Sequence, residues 1–464
     1  MCFYFRFMEA EKVNSILVRK YNQPVPRYTS YPTVPFWTDE IDIDKWKQMF
    51  QNKFEEQNVI NGISLYLHLP FCESLCTYCG CNKKITTNHK VEDEYLLAIE
   101  KEWIIYRRLM KQTPVIRELH IGGGTPTFFS PRNLQRLLNF ILKSSILHPR
   151  YELSIEGHPN NTTREHLKML HSFGFRRISY GVQDNDPEVQ RVINRIQPFE
   201  NVKNATEMAR IIGFTSVNFD LIYGLPLQTL ESIEKTIHQT IELRPDRIAF
   251  YSYAHVPWTS RAQRLFDESH LPSPEEKILL YLKGKELLVK NGYVDIGMDH
   301  FALATDELYK AWNEGRLHRN FMGYTTSSTK FLLGLGVSSI SDTGNAFAQN
   351  NKTLHEYYAV ISEDKLAVKK GFFLSEEDQA FQKYILDIIC KSEVSFSGKH
   401  LSLLEKYSFP KLEELQKDGL VELNKHRVTV TPQGHNFLRN ICSAFDLHME
   451  RGVKNGKNVF SKAI

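Results

Sequence analysis

Long apolar stretches and a strong charge of either sign are both missing from this sequence. The opening segment, residues 1–7, is apolar but far too short for a signal-peptide core or a membrane span, and no later stretch is long and apolar enough to cross a bilayer. Basic residues number 58 and acidic residues 54, a balance that gives no argument for nucleic acid. We therefore expect a protein that binds neither membrane nor nucleic acid, and whose start is either Met1 or Met8.

Cysteine is scarce, and it is unevenly distributed. Four of the seven cysteines lie within the ten positions from Cys72 to Cys81, with no secretory signal before them. In a reducing cytosol such thiols bind metal rather than form disulfides, so we expect a cytoplasmic protein. Cys390 and Cys442 are predicted to be buried apolar residues, and Cys2 to have no role.

The clustered cysteines follow the pattern C-x3-C-x2-C-x-C, directly after an apolar run at 62–69 that predicts a buried strand. Soft thiolates select zinc, copper(I) or iron–sulfur clusters. Zinc sites usually have two separated cysteine pairs, no second C-x2-C occurs here, and ferredoxin loops are spaced differently. A three-cysteine loop can hold three irons of a [4Fe–4S] cluster and leave the fourth iron open. A structural zinc knuckle and a set of buried thiols are the alternatives.

Strand and helix patterns alternate from residue 62 onward, in a chain of 464 residues that is long enough for more than one domain. Each strand but the last is followed by a helical pattern within a short distance, which favours parallel βαβ units. An α/β barrel and a doubly wound sheet both fit this alternation. The predicted strands are 62–69, 116–121, 151–156, 177–182, 217–223 and 247–253.

Polar side chains stand at or just beyond the ends of three successive strands. Glu156 ends the third strand, Gln183 and Arg195 follow the fourth, and Asp220 lies in the fifth. Because α/β proteins place their sites at the carboxyl ends of parallel strands, we expect these residues to share a pocket. Residues 122–124, after the second strand, are three glycines without G-x-G-x-x-G or a P-loop lysine, so a nucleotide-phosphate site is not expected.

The two ends of the chain have a different character. Residues 27–32 are predicted to be non-helical, because Pro32 disfavours helix at Tyr31, while 44–55 is predicted to form a short helix. The stretch 294–345 is rich in glycine and polar residues and is expected to be less regular. After about residue 373, helices are followed by a hairpin, which indicates a winged-helix-like unit. Since no strongly basic recognition helix occurs, we favour a packing role over nucleic-acid binding.

These motifs together resemble a known family. The C-x3-C-x2-C loop after a first strand resembles the cluster loop of radical S-adenosylmethionine (SAM) enzymes. The fuller pattern, including Cys81, resembles one branch, the oxygen-independent coproporphyrinogen III oxidases. The resemblance covers almost the whole chain and is carried by residues 26–33, 66–72, 79–83, 122–127, 251–255, 297–302, 318–321 and 323–326.

The resemblance implies an α/β fold, an open six-stranded (β/α)6 partial TIM barrel with an N-terminal arm and a mostly helical, winged-helix-like C-terminal domain. The corresponding parts are an arm at 1–55, the radical SAM barrel at 56–300, a connecting segment over the barrel mouth at 301–372 and the C-terminal domain at 373–464. In this family the arm lies near the active site.

It also implies one [4Fe–4S] cluster, bound by Cys72, Cys76 and Cys79, whose open iron binds SAM; Cys81 matches a cysteine that is not a ligand. Tyr78 stands where the family often has phenylalanine. Two SAM molecules per chain are implied. The matching SAM-binding residues are Tyr66, Tyr78, Gly123, Gly124, Thr125, Glu156, Gln183, Arg195, Asp220, Ala254 and Ile340.

The implied reaction is the oxidative decarboxylation of two propionates of coproporphyrinogen III to vinyl groups, giving protoporphyrinogen IX for haem synthesis. A deoxyadenosyl radical derived from SAM starts it. Because carboxylates call for arginine, we hypothesise that Arg27, Arg319 or both meet propionates. His68 is predicted to be a hydrogen-bonded structural residue. We expect a monomer with an unidentified electron donor and acceptor.

Other functions fit parts of the same pattern. A haem-binding chaperone of the related branch would have a cluster but no decarboxylase activity, and Cys81 and the arm at 27–33 argue against it. A radical SAM enzyme that opens or methylates haem is a further alternative. A zinc-bound winged-helix regulator is the alternative function that the sequence supports least.

Overall fold

The computed structural model describes residues 15–327, 329–452 and 460–463. Cys2 and the choice between Met1 and Met8 lie outside these residues. The strands of the described residues are β1 (Ile63–Leu69), β2 (Phe71–Cys72), β3 (Lys84–Ile85), β4 (Val115–Gly123), β5 (Ile146–Gly157), β6 (Arg177–Gln183), β7 (Ser216–Tyr223), β8 (Arg247–Ser252), β9 (Tyr293–Gly297), β10 (His300–Leu303), β11 (His318–Asn320), β12 (Gly323–Thr325), β13 (Leu332–Leu335), β14 (Ile340–Asp342), β15 (Ala346–Asn350), β16 (Val368–Phe373), β17 (Glu393–Ser395), β18 (Val421–Leu423) and β19 (Arg427–Val430).

Helices connect most of these strands. The α-helices of the described residues are α1 (Ser15–Tyr21), α2 (Ile43–Gln57), α3 (Val91–Leu109), α4 (Pro131–Leu142), α5 (Arg164–Ser172), α6 (Pro187–Val192), α7 (Phe199–Ile212), α8 (Leu230–Leu243), α9 (Pro274–Lys290), α10 (Glu307–Asn313), α11 (Leu354–Ser362), α12 (Glu376–Lys391), α13 (Leu401–Leu403), α14 (Phe409–Lys417), α15 (Leu438–Ser443) and α16 (Leu447–Gly452). None of them has the length and hydropathy that a membrane crossing requires.

A twelve-stranded open sheet organises the fold, in the order β16-β15-β14-β13-β1-β4-β5-β6-β7-β8-β10-β9. The six strands predicted from the sequence are β1 and β4 to β8, and neighbours among them pair in parallel. β1 and β7 are buried along almost their whole length, which explains their continuous apolar runs. The predicted α/β fold with an open six-stranded partial barrel is confirmed. β5 begins at Ile146, earlier than the predicted start at 151.

Further strands extend this barrel sheet at both edges. β13 pairs in parallel with β1, and β14, β15 and β16 continue antiparallel from it. At the other edge β10 and β9 lie antiparallel beside β8. We expected 294–345 to be less regular, whereas several of its segments are strands of the sheet. The run Leu332–Leu335 is buried at every position but is too short to show a period in the sequence.

The N-terminal arm packs between the barrel and the C-terminal segment. Tyr28 and Tyr31 are both buried, and the Tyr28 hydroxyl donates to Asp446 Oδ2 at 3.1 Å. The Leu447 N–H donates to the Tyr31 hydroxyl oxygen at 3.1 Å. The helix predicted at 44–55 is α2, which begins after Asp42, whose carboxylate accepts the first free N–H groups.

The C-terminal domain has the predicted order of helices and hairpin. α12 and α14 pack beside a small antiparallel sheet in the order β17-β19-β18. Cys390 and Cys442 are buried, as predicted. The helical C-terminal region expected from the sequence is therefore confirmed.

Candidate functional site

The cysteine loop leaves the carboxyl end of β1 and is closed by a short parallel bridge. The Lys84 N–H donates to the Pro70 carbonyl at 2.8 Å, and the Thr86 N–H donates to the Cys72 carbonyl at 2.9 Å. Within the loop the Cys79 N–H donates to the Cys76 carbonyl at 3.3 Å, which forms a turn. These bonds hold the cysteines on a compact loop beside the end of the central strand.

Each predicted ligand thiol has a distinct partner. Thr125 Oγ1 donates to Cys72 Sγ at 3.4 Å, and Arg195 Nη1 donates to Cys76 Sγ at 3.7 Å. A hydrogen bond from the Cys81 thiol, followed by the charge of Lys83, lowers the pKa of Cys79. Such donors favour the thiolate form, which is the form that binds iron.

The loop residues fit an iron–sulfur cluster. A Cβ on Gly124 would lie 2.6 Å from the Pro70 carbonyl oxygen and 2.9 Å from Cys72 Sγ, so glycine is needed beside this thiol. Arg195 Nε is buried without a hydrogen-bond partner. Among the described residues, no three His, Cys, Asp or Glu side chains are placed around a single metal ion. An iron–sulfur cluster does not require three side chains around one metal ion, because each cysteine binds a different iron.

The glycine turn at the end of β4 is tied to Glu156. The Gly123 N–H donates to Glu156 Oε2 at 3.1 Å, and His120 Nε2 lies 3.3 Å from Glu156 Oε1. A Cβ on Gly122 would lie 2.9 Å from the same carboxylate. Burial raises the pKa of Glu156. Hydrogen bonds and charge, chiefly from His120, outweigh burial and hold the pKa below its ordinary value, so the carboxylate is ionised.

The neighbouring strands add further polar groups. Ser179 lies beside Glu156 in the sheet register, and its hydroxyl donates to Asp220 Oδ2 at 3.2 Å. Burial, and then the charge of Glu156, raise the pKa of Asp220 to about 7. Arg195 Nη2 donates to the Gly181 carbonyl at 2.6 Å. The structure thus brings Glu156, Asp220 and Arg195 together beside the cysteine loop.

Gln183 and Arg195 face the same glycine of β6. A Cβ on Gly181 would lie 2.5 Å from Gln183 Nε2 and 3.0 Å from Arg195 Nη2. Gln183 ends β6 with a φ of 65°. A side chain at position 181 would therefore displace both polar groups.

Three further predicted residues lie around the polar groups at the strand ends: Tyr66, Tyr78 and Ala254. The Tyr66 hydroxyl is 3.1 Å from His68 Nδ1, and its ring stacks on His120 with centroids 6.0 Å apart. Gln263 Nε2 donates to the carbonyls of Tyr78 at 3.0 Å and Ala254 at 3.1 Å, which joins the cysteine loop to the segment after β8.

Ile340 differs from the other predicted residues. It lies in β14, separated from Tyr66 of β1 by Gly334 of β13. Its side chain packs against a cluster that contains Trp37 and Phe347. No described side-chain contact joins Ile340 to the cysteine loop.

His68 connects β1 to the end of the cysteine loop, with Nε2 at 3.0 Å from the Asn82 carbonyl. Burial lowers its pKa, so the ring is neutral. This is the hydrogen-bonded structural position that the sequence predicted.

The two arginines predicted for carboxylates are placed differently. Arg27 Nη2 donates to the Ser252 carbonyl at 2.5 Å, and its guanidinium lies 5.8 Å from the Tyr251 ring centroid. The Arg319 guanidinium lies 4.8 Å from the Tyr324 ring centroid, and its Nε and Nη1 are buried without a partner. Arg319 therefore has free donors inside the protein.

Sequence reasoning missed His120, Ser179 and Gln263. His120 contacts both Glu156 and Tyr66 from within β4. A polar residue in an apolar strand was a usable signal, since its side chain must find a partner. Gln263 lies in a loop with no pattern, and nothing in the sequence indicated its contacts.

Comparisons with known proteins agree with this geometry. The model of the radical SAM superfamily matches residues 66–240. The oxygen-independent coproporphyrinogen III oxidase of Escherichia coli is 39% identical over 444 residues, which cover 94% of this chain and 96% of that protein. The enzyme of the same name from Synechocystis sp. is 38% identical over 463 residues, covering 97% of each chain. A solved structure of coproporphyrinogen III oxidase from Escherichia coli, described as a radical SAM enzyme, matches with a TM-score of 0.86 and 38% identity, over 93% of this chain and 98% of that one.

Proposed function

The chain belongs to the family of oxygen-independent coproporphyrinogen III oxidases, and from this premise we propose that it decarboxylates two propionates of coproporphyrinogen III to vinyl groups, giving protoporphyrinogen IX for haem synthesis. It is a radical SAM oxidoreductase by family. The observation that carries the proposal is the thiol loop at the end of β1, with Thr125 and Arg195 donating to its sulfurs.

Cys72, Cys76 and Cys79 bind one [4Fe–4S] cluster, which with SAM supplies a deoxyadenosyl radical when both are present. Thr125 and Arg195 stabilise the negative charge of the ligand sulfurs through hydrogen bonds. The bond between His68 and the Asn82 carbonyl holds the far end of the loop against β1. Cys81 is exposed and takes no ligand role.

SAM binding is assigned to the residues around this loop, with two SAM molecules per chain. Gly123 and Gly124 present backbone at close approach, and Tyr78 lies within the cysteine loop, with its ring against a small apolar cluster that contains Ile193 and Tyr253. The remaining residues of this proposal are Tyr66, Thr125, Glu156, Gln183, Arg195, Asp220, Ala254 and Ile340. The polar contacts among Glu156, Arg195 and Asp220 support it; Ile340 has the weakest support, because its side chain packs elsewhere.

The substrate side chains end in carboxylates, and Arg27, Arg319 or both are assigned to them. For each propionate, the loss of one hydrogen atom, one electron and carbon dioxide leaves a vinyl group. The electron goes to an acceptor that has not been identified. The electron donor that starts the reaction has not been identified either. Arg319 supports the assignment through its unpartnered buried donors.

The setting of the enzyme is part of the same proposal. We assign it to the cytoplasm as a monomer, without nucleic acid or membrane as partner. The support is compositional: clustered thiols belong in a reducing compartment, and the charge is nearly balanced.

The test is a turnover experiment under strict anaerobiosis. The protein is reconstituted with iron and sulfide, then given SAM, a reductant and coproporphyrinogen III, and porphyrin masses are followed. Two successive losses of the mass of formic acid, with deoxyadenosine formed, are expected. Deoxyadenosine without a decarboxylated product would show radical chemistry on a different substrate. Haem binding without either product, from a protein with an intact cluster, would instead identify a chaperone.

A further inference from the structure

A row of polar side chains crosses one face of the barrel sheet next to the candidate site. In the sheet register His120 of β4 lies between Tyr66 of β1 and Ser154 of β5. Ser154 lies in turn beside Arg177 of β6. Glu156 stands two positions beyond Ser154 on β5, so its side chain points to the same face, one layer nearer the cysteine loop. His120 and Ser154 are 9% and 2% exposed, so this row is buried and its polar atoms need partners within the protein.

A continuous chain of hydrogen bonds joins the row to Glu156. Arg177 Nε donates to Glu152 Oε1 at 2.7 Å, and Arg177 Nη2 donates to Ser154 Oγ at 3.1 Å. Ser154 Oγ lies 2.8 Å from His120 Nδ1. His120 Nε2 lies 3.3 Å from Glu156 Oε1. The chain therefore runs from the ion pair between Arg177 and Glu152 to the carboxylate of Glu156.

The direction of this chain is fixed by Arg177, because a guanidinium has donors and no acceptor. Among the described hydrogen bonds Ser154 Oγ has only Arg177 and His120 as partners, so the hydroxyl proton of Ser154 points to His120 Nδ1. A ring proton on Nδ1 alone would face this donor and would leave the Nε2 lone pair against a carboxylate. Nε2 therefore carries a proton and donates it to Glu156 Oε1.

Glu156 depends on this donor for its negative charge. Burial raises the pKa of its carboxyl group, and the hydrogen bond from His120 is the largest of the effects that hold the pKa below its ordinary value. The other titratable groups that face it, from β1, the cysteine loop and β7, are Tyr66, His68, Cys81 and Asp220. In the described part of the chain none of these four donates a hydrogen bond to the carboxylate, whereas His120 does.

We infer that His120 is a positioning residue for cofactor binding: oriented by Arg177 through Ser154, it holds the Glu156 carboxylate in the orientation in which that group accepts hydrogen bonds from SAM. The inference rests on the proposed function, which assigns Glu156 to SAM. The Gly123 N–H holds Oε2 and His120 holds Oε1, so the rotation of the carboxyl group is fixed. Each carboxylate oxygen has a second lone pair, which remains for the hydroxyl or amine donors of the cofactor.

The first test compares two replacements of the same side chain. H120F keeps an aromatic ring beside Tyr66 but has no donor for Glu156, whereas H120Q places an amide N–H near the position of Nε2. The full-length protein is reconstituted with iron and sulfide, and SAM affinity is measured by equilibrium dialysis without substrate or reductant. We expect the dissociation constant to rise about tenfold or more in H120F and to stay within about threefold of wild type in H120Q. Iron content should be unchanged in both.

A double-mutant cycle separates positioning from a purely structural role. If His120 acts through Glu156, H120F should weaken SAM binding no further in an E156Q background. A histidine that only supports packing would weaken binding equally in both backgrounds. The inference is overturned by additive effects of the two substitutions, and equally by wild-type SAM affinity in H120F with full iron content.

A second measurement needs no SAM. Without the His120 donor, burial raises the pKa of Glu156, so the infrared spectrum of H120F at pH 6 should contain a protonated carboxyl band from Glu156. The spectra are taken in a D220N background, because Asp220 titrates in the same pH range. The band should be present in H120F/D220N and absent from both D220N and H120F/D220N/E156Q. No band in H120F/D220N would show that His120 does not control the charge of Glu156.

These outcomes are distinct from failure of the proposed function. A wild-type protein that binds SAM as described but does not convert coproporphyrinogen III would reject the reaction and leave the role of His120 standing. Turnover by H120F with the wild-type KM for SAM would retain the reaction and reject the inference.

Discussion

At the scale of single residues, neighbouring cysteines differ in what surrounds them. Burial raises the pKa of Cys72 to about 11, although Thr125 opposes this, while the Cys81 thiol and Lys83 lower that of Cys79. Metal binding must displace the remaining protons, so iron affinity depends on pH. The fourth cysteine, Cys81, is exposed, and a hydrogen bond from its thiol is the main cause that lowers the pKa of Cys79.

The first prediction distinguishes the three cysteines proposed as cluster ligands from Cys81. Cys72→Ser, Cys76→Ser and Cys79→Ser should each lose most of the iron after anaerobic reconstitution, because a cluster needs all three thiolates. Cys81→Ser is the control in the same loop and should keep iron and sulfide near wild-type levels. Iron and sulfide content per chain is the measurement. Equal loss in Cys81→Ser would show that the fourth cysteine is a ligand.

Asp220 gives a pH-dependent prediction. Its folded pKa of about 7 lies above the ordinary value of 3.8, chiefly through burial. The folded protein therefore holds this proton more tightly than the unfolded chain does. The contribution to stability is complete below pH 3.8 and is lost as the pH rises towards 7.

Asp220→Asn removes this titration without removing the side-chain volume. Between pH 5 and 8, wild-type stability should fall relative to the variant by up to about 3 kcal/mol. Urea unfolding of both proteins at pH 5 and at pH 8, without SAM, measures this difference in stability. A constant difference between the two proteins would contradict the pKa assignment.

At the scale of elements, the end of β4 and the cysteine loop are fitted to each other without room for a side chain. The Gly124 N–H donates to the Leu69 carbonyl at 2.8 Å, and the Thr125 N–H donates to the Phe71 carbonyl at 2.9 Å. The absence of a Cβ at Gly124 is what permits this approach to Pro70 and Cys72. The turn and the loop therefore depend on one another.

Gly124→Ala should displace the Cys72 thiol and lower iron incorporation several-fold, because the contact at 2.6 Å is with backbone that cannot move aside. Gly80→Ala, in the same loop, is the matched control: a Cβ there meets nothing within 4 Å. Iron content and the electron paramagnetic resonance signal of the reduced protein are compared. A cluster signal of wild-type size in Gly124→Ala would refute the argument.

Arg439 ties two terminal segments to α15. Its guanidinium donates to the Val25 carbonyl, to the Pro26 carbonyl at 3.2 Å and to the Ala463 carbonyl at 2.9 Å. Arg439→Met keeps the length of the side chain but leaves these buried carbonyls unpaired, which destabilises by about 1–3 kcal/mol for each group that water cannot reach. We expect faster proteolysis near residues 22–26. Cleavage at the wild-type rate would show that other contacts hold the arm.

At the scale of the whole molecule, arm, barrel and C-terminal domain share one hydrophobic core. A single cluster of buried residues runs from Leu17 in α1 to Leu447 in α16. The Tyr324 hydroxyl of the β11–β12 hairpin donates to the Ile389 carbonyl of α12 at 3.0 Å. The division into parts at 1–55, 56–300, 301–372 and 373–464 stays a prediction, and its parts are not packed independently.

A chain that ends at residue 372 should therefore not reach the native state. Removal of 373–464 would expose the apolar face that α12 and α15 cover, and we expect aggregation or loss of the near-ultraviolet circular dichroism signal. The full-length chain is the reference. A soluble fragment with native-like aromatic signals would show that the barrel folds alone.

Much of the site could be predicted because its residues stand in recognisable local patterns. The cysteine spacing, the three glycines and the polar residues at strand ends indicated where to look, and the structure brings Glu156, Arg195 and Asp220 together as expected. His120 and Ser179 were missed, since a single polar residue in a strand does not reveal its partner. A cavity of about 770 Å³ lined by Arg117, Arg150, Arg319 and Lys330 was missed entirely, because these residues come from separate segments of the chain.

By itself, the sequence determined the six parallel strands, the thiol loop after the first of them and the family, because apolar periodicity and cysteine spacing are local properties of the chain. Only the tertiary structure decided that Leu332–Leu335 adds a strand beside β1, that Arg195 reaches Cys76 and that Arg439 holds the arm at Val25. These contacts join residues more than a hundred positions apart, or at opposite ends of the chain. Sheet register and close packing place such residues together, and neither is encoded in the pattern of any one segment.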